Sequence, residues 1–208
     1  LVQGEGGVQP FDKDEIQKLA KFLKDNDILL IVDEVQTGAY RTGEFLASNL
    51  YDIKPDIITM AKGVGGGVPI GIVMTTHKDI FVPGDHGSTF GGNYLSTISA
   101  LEVCNILDDL KNSGTLDETI IYFENKLKTF YETNLDIFDS IVGLGFMRGL
   151  RVKSADILSS IITESFNNGV LVLKAGKNTL RFLPPLTITK DEMDEGFKRL
   201  ERAIEKIK

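Results

Sequence analysis

The sequence predicts an α/β chain in two parts, residues 1–113 and 114–208. Three observations carry that prediction. Ile28–Val32 is an unbroken aliphatic run ending on Asp33-Glu34, the composition of a strand buried on both faces of a parallel sheet. A second apolar segment, Ile57–Met60, follows a short helical stretch within about thirty residues, the spacing of a right-handed βαβ unit. Beyond Asn112-Ser113-Gly114 the pattern changes to a long linking helix and then short strands mixed with helices, as in a small α+β domain.

Composition narrows the function. The 208 residues are 42% hydrophobic, enough for a substantial core, and carry a net charge of −7, which argues against nucleic acid or an anionic membrane as the main partner. Cys104 is the only cysteine, so no internal disulfide forms and a reducing, cytoplasmic setting is expected. No apolar run approaches the roughly 18–20 residues of a membrane span. The first residue is Leu1, and Val2–Gly7 reads as a strand end entering a turn, so the sequence is expected to begin inside a domain.

In order along the chain, Val2–Gly7 is a glycine-rich turn holding one acid, Glu5. Asp12 or Asp14 can cap a helix with Ile16, Leu19, Ala20, Phe22 and Leu23 on its apolar face, and Asp25-Asn26-Asp27 ends it. After the Ile28–Val32 strand, Arg41-Thr42-Gly43 leads to a short helix, Phe45–Leu50, and Pro55-Asp56 precedes the Ile57–Met60 strand. Ile70–Thr76 is a further strand, antiparallel to it because the connection is short. The polar loop Pro83–Asn93 opens a helix near Leu95, whose expected core face is Ile98, Leu101, Cys104, Ile106 and Leu107. The linking helix Leu116–Asn134 carries Ile120, Phe123, Leu127, Phe130 and Tyr131. A hairpin of Ile141–Leu144 and Met147–Val152 turns at Gly145. Helix Ala155–Asn167, strands Val170–Leu173 and Leu180–Leu183, and helix Lys190–Ile207 complete the chain.

Chemistry concentrates on Ile57–Ile72. Lys62 stands directly after a buried strand and before Gly63, Gly65, Gly66 and Gly67. A lone cation there is costly unless used, and a lysine in an apolar pocket becomes a nucleophilic amine. The plainer alternative is a surface lysine before a flexible turn. Ligands of parallel sheets sit beyond the carboxyl ends of the strands, where both Asp33 and Lys62 fall. If Lys62 forms a Schiff base, the natural cofactor is pyridoxal phosphate, with Asp33 at its ring nitrogen, Gln36 at its ring hydroxyl, and Ser88 and Thr89 at its phosphate. The alternative for the Ser88-Thr89 loop is an ordinary helix cap.

Five ordered motifs resemble the class III pyridoxal-phosphate aminotransferases: Gln3–Gly7, Asp33–Gly38 with Arg41-Thr42-Gly43, Ala61–Gly71, Pro83–Asn93 and Leu180–Leu186. The resemblance spans essentially the whole chain. It implies aminotransferase fold type I, with 1–113 the C-terminal portion of a large, mostly parallel-sheet cofactor domain and 114–208 the linking helix and small C-terminal domain. It implies Lys62 as the Schiff-base lysine, Asp33 as the ring-nitrogen partner and Gln36 at the ring hydroxyl. Thr89 would reach the phosphate of another subunit's cofactor, making the enzyme a homodimer. Arg181 would clamp a substrate carboxylate, masked by Glu5 while the amino donor is bound. The expected substrates are a small amino acid, N2-acetylornithine, and a 2-oxo acid, 2-oxoglutarate, in arginine biosynthesis; ornithine and 4-aminobutyrate are the alternative donors.

Two departures stand out: Ala39-Tyr40, where the family often has glycine before Arg-Thr-Gly, and Tyr94, where it has proline. The family's N-terminal half is not in this sequence, so a catalytically inert fragment is the rival reading. His77 and His86 are too separated for a metal site, and Lys62 precedes its glycines, unlike a Walker loop.

Overall fold

The computed structural model describes residues Leu1–Lys208 and divides them into two compact units, Leu1 with Phe11–Asn112, and Val2–Pro10 with Ser113–Lys208. Strands β1 (Val2–Gln3) and β2 (Gln9–Pro10) thus belong with the second unit, whereas the sequence assigns them to residues 1–113.

The first unit begins with helix α1 (Lys13–Asp25), capped by Asp12, whose Oδ1 accepts the Glu15 N–H at 3.0 Å. Its apolar face is not a core face: no residue of α1 is buried, and Phe22 is 58% exposed. Strand β3 (Ile31–Asp33), the short helix α2 (Ala47–Leu50), and strands β4 (Ile57–Ala61) and β5 (Gly71–Thr75) follow. Their sheet has the order β3-β4-β5, with β3 parallel to β4 and β5 antiparallel to it. The run expected to be a strand buried on both faces is shorter and more open. Ile28 and Leu29 lie before the strand, and Ile31 is 59% exposed, because nothing in this chain covers that side of β3. Asp56 fixes where β3 starts: its Oδ2 accepts the Leu30 N–H at 2.8 Å while its own N–H donates to Leu30 O at 2.9 Å.

Helix α3 (Tyr94–Asn112) also turns a different face inward than its bulky residues suggest. Ser96, Ala100 and Leu107 are buried, while Ile98, Leu101 and Ile106 are exposed. The reason is the glycine loop beneath it. Ser99 Oγ donates to Gly65 O at 2.8 Å and Ser96 Oγ to Pro69 O at 2.9 Å. A Cβ at Gly66 would stand 2.8 Å from Val103 Cγ2, so only small groups fit this contact.

The second unit is built on an antiparallel sheet of order β6-β7-β9-β8, comprising β6 (Phe138–Leu144), β7 (Met147–Val152), β8 (Leu173–Ala175) and β9 (Thr179–Phe182). Helices α4 (Thr115–Glu132), α5 (Ala155–Asn167) and α6 (Lys190–Glu205) pack on it. The β6–β7 turn has Gly145 at φ 53°, a conformation glycine adopts without penalty. Gly143 has no freedom to change: an added Cβ would lie 2.0 Å from Met147 O.

The core is aromatic. Phe123 of α4 has Phe146, Phe182 and Phe197 within ring-centroid distances of 5.7, 6.4 and 6.2 Å, and Phe130 joins Phe138 and Phe197 to the group. Val2 and Val8 pack with Met147 and Ala175, which seats the β1–β2 pair on this unit. The strand expected at Val170–Leu173 is displaced to Leu173–Ala175. The Val170 N–H is used to close helix α5, donating to Ser165 O at 3.0 Å, and Gly169 turns at φ 77°.

Candidate active site

Asp33 is the last residue of β3 and Lys62 follows the last residue of β4, so both stand at the carboxyl ends of adjacent parallel strands. Lys62 begins a single 3₁₀ turn, Lys62–Gly65, with φ 54°, the left-handed region that a side chain rarely occupies. Its side chain is exposed in this chain, not lodged in an apolar pocket as the sequence suggests, and its amine makes no hydrogen bond or ion pair. Asp33 spends Oδ1 on the Val35 N–H, at 2.8 Å, and leaves Oδ2 available. Gln36 presents a buried side-chain oxygen, Oε1, that no donor reaches. An orphaned buried acceptor costs about 1–3 kcal/mol, so it marks a place where a donor is wanted.

The segment after Gln36 is tightly turned. Ala39 and Tyr40 both have positive φ, 52° and 63°, where glycine would be unstrained. Tyr40 is held there: its hydroxyl donates to Asp108 Oδ1 of α3 at 2.6 Å and its ring meets Phe45 edge-on at 5.6 Å. Burial, with the Asp108 bond second, pushes the Tyr40 hydroxyl up to about 12. The side chain is thereby committed to the fold. Burial likewise lowers Arg41 to about 10.

Ser88 lies on a separate wall of the same unit. It lines an open cavity of about 960 Å³ with β5 residues Gly71–Val73, Phe90, Asn93 and Thr97, and neither Asp33, Gln36 nor Lys62 lines it. Thr89 is exposed in the same loop. The start of α3 is already capped, since Asn93 Oδ1 accepts the Ser96 N–H at 3.0 Å. Asn93 was not singled out from the sequence, although its place just before a helical run is the usual mark of a cap.

In the second unit, Arg181 of β9 and Glu5 meet. Nη1 donates to Glu5 Oε1 at 2.6 Å. The partners differ in setting: the arginine side chain is 9% exposed and the glutamate 74%. Arg181 Nε is buried without an acceptor. Glu5 is held by its backbone, its carbonyl accepting the Gly176 N–H at 2.8 Å, and a Cβ at Gly176 would press on that oxygen at 3.0 Å. The carboxylate is therefore an exposed group on a backbone-held turn, paired with a buried cation.

Residues 1–204 match the model of the family described as aminotransferase class-III. The chain belongs to the class-III aminotransferases. A relative named acetylornithine aminotransferase, from Wolinella succinogenes, is 58% identical over 207 residues, all of this chain and 53% of the relative. Among solved structures, the ornithine aminotransferase of Toxoplasma gondii matches with a TM-score of 0.90 at 32% identity, over 99% of this chain and 50% of that one. The N-acetylornithine aminotransferase of Stenotrophomonas maltophilia matches with a TM-score of 0.84 at 31% identity, over 99% of this chain and 55% of that one. The chain thus spans about half the length of the relatives it matches. Its mixed helices and sheets agree with the expected α/β, fold type I architecture.

Within this family assignment, the chain carries one buried acid to which the sequence alone gave no role. Glu34, between Asp33 and the Val35-Gln36 pair, is 1% exposed. The signal was its position: a second carboxylate directly after Asp33 at the end of an aliphatic strand, where an unpartnered buried charge is not tolerated.

Proposed function

We propose that this chain forms part of a pyridoxal-phosphate-dependent transaminase that moves the amino group of N2-acetylornithine to 2-oxoglutarate in arginine biosynthesis. In this reading, residues 1–113 are a portion of the cofactor domain, and residues 114–208 are the linking helix and small domain. The observation that carries it is what stands at and just beyond the carboxyl ends of the adjacent strands β3 and β4: an amine without partners, a carboxylate oxygen left over, and a buried oxygen lacking a donor. These three fit the cofactor group by group. Gln36 Oε1 would accept from its ring hydroxyl, Asp33 Oδ2 would keep its ring nitrogen protonated, and Lys62 Nζ would tether it. When bound, pyridoxal phosphate supplies an electron-accepting ring that stabilises negative charge on the substrate carbon. Lys62 Nζ, once released, would carry the proton to and from that carbon.

Ser88 and Thr89 would donate to phosphate oxygens, Thr89 to those of a second subunit. What supports that placement is the cavity Ser88 lines, whose walls include neither Asp33, Gln36 nor Lys62, with Thr89 exposed in the same loop. A homodimer also gives α3 a use for its uncovered apolar residues Tyr94, Ile98 and Leu101, which are 92%, 65% and 60% exposed. Arg181 would hold a substrate carboxylate when Glu5 swings away, and Glu5 would restore charge balance when an amino donor lacking that carboxylate binds. A cytoplasmic setting suits the single thiol at Cys104.

The similarity to ornithine aminotransferases of known structure favours a second reading, with free ornithine as donor. The deciding experiment has two stages. The chain is mixed with pyridoxal phosphate and reduced with borohydride; a mass increase at Lys62, lost in Lys62→Ala, is expected, and an unlabelled Lys62 refutes the cofactor reading. The full-length enzyme is then assayed with N2-acetylornithine, ornithine and 4-aminobutyrate. A kcat/KM at least tenfold higher for N2-acetylornithine supports the first reading, and the reverse ranking supports the second.

A further inference from the structure

Glu34 is surrounded by donors. Its Oε1 accepts the Ser48 N–H at 2.8 Å, and its Oε2 accepts the Ala47 N–H at 3.0 Å and the Thr37 hydroxyl. Its backbone N–H donates to Thr59 O of β4 at 2.8 Å, and its carbonyl accepts the Gly38 N–H at 2.9 Å. One residue therefore joins the end of β3 to β4, to the turn at Thr37-Gly38 and to the start of α2. Gly38 closes over it so tightly that an added Cβ would stand 2.9 Å from both Glu34 O and Met60 Cε.

We infer that Glu34 is a positioning residue, fixing the Asp33–Gln36 loop so that Asp33 Oδ2 and Gln36 Oε1 are presented together. The inference rests on the cofactor reading above for its purpose, but not for its geometry. A helix cap alone could be supplied by a short serine or aspartate beside α2. Here the acid sits 13 and 14 residues before the amides it binds, and directly beside Asp33. Its charge is also specific. Both oxygens face backbone N–H groups, which can only donate. A glutamine would turn its NH₂ toward either the Ser48 or the Ala47 N–H, donor against donor, losing at least one bond, and the loop would shift to relieve this. Gln36 Oε1, buried and unpaired, has no other bond to hold its place.

The test compares Glu34→Gln and the milder Thr37→Val with Tyr51→Phe, which removes hydroxyl bonds to Leu1 O and Phe11 O elsewhere in the same unit. Pyridoxal phosphate affinity is measured by titration, and the pH midpoint of the bound cofactor's visible band is followed. Glu34→Gln is expected to weaken binding at least tenfold and to move the midpoint. Thr37→Val should move both in the same direction by less, and Tyr51→Phe should move neither, whatever its effect on melting temperature. Affinity and midpoint within twofold of the parent in both Glu34→Gln and Thr37→Val overturn the inference, as does an equal change in Tyr51→Phe. If the parent chain takes up no pyridoxal phosphate, the cofactor reading fails by itself. The Val35 backbone and Gln36 side-chain amide resonances then decide the positioning role. They should shift in Thr37→Val and stay in place in Tyr51→Phe; unmoved resonances in Thr37→Val overturn it.

Discussion

The two units solve the problem of burial differently. In the second, α4 buries Leu116, Ile120, Phe123, Leu127 and Phe130, and α6 buries Met193, Phe197, Leu200, Ala203 and Ile204. The stripe read along α4 is, Tyr131 apart, its packed face, and six phenylalanines meet in the core it enters. In the first unit α1 buries nothing, and α3 buries Ser96, Ala100 and Leu107 while its larger apolar residues face outward. An amphipathic pattern states that a face needs covering. It does not state that the cover lies in the same stretch of chain.

That contrast is open to attack by mutation. Phe123→Ala removes the centre of the aromatic group and should destabilise the second unit by about 3–5 kcal/mol, read from urea denaturation; a loss below about 1 kcal/mol would mean that this core is not cohesive. Tyr40→Phe probes the first unit's own internal bonds and should cost about 1 kcal/mol near neutral pH. Its sign with pH is fixed by the raised value. The folded state favours the neutral hydroxyl, so the Tyr40 contribution is complete below pH 10 and disappears as pH rises through about 12. The parent should lose stability across that window more steeply than Tyr40→Phe, and parallel curves would contradict the assignment. Smallest of all, Ile98→Ser on the uncovered face of α3 should change stability by under about 0.5 kcal/mol. It should instead reduce self-association in sedimentation; a large stability loss would show that α3 packs its bulky face after all.

The same contrast explains what could be read without coordinates. Helix α5 begins and ends where expected, Ala155–Asn167, because Ser154 caps its start and Asn168-Gly169 closes its end, both local chemistry. The β6–β7 hairpin was legible from Gly145 for a similar reason. The pairing of β5 against β4 followed from a short connection. The Ile28–Val32 run was overextended because composition reports a demand for burial, and only β3 (Ile31–Asp33) is met by a neighbouring strand. At the candidate site, the strand-end positions of Asp33 and Lys62 were legible from the apolar runs, and the meeting of Glu5 with Arg181 only through the family resemblance. The exposure of Lys62 was not, since a strand-end position does not say how much of the fold covers the side chain that follows it. The roles of Glu34 and Asn93 depend on bonds to amides whose positions only the fold supplies.

The left-handed backbone at Lys62 has one more consequence. A residue with a side chain is strained there, whereas glycine is at ease. Replacing Lys62 with glycine should therefore raise the melting temperature while abolishing covalent capture of an aldehyde at that position. A thermostability screen blind to chemistry would select that change first, and under the transaminase reading proposed above the sturdier molecule it returned would be idle.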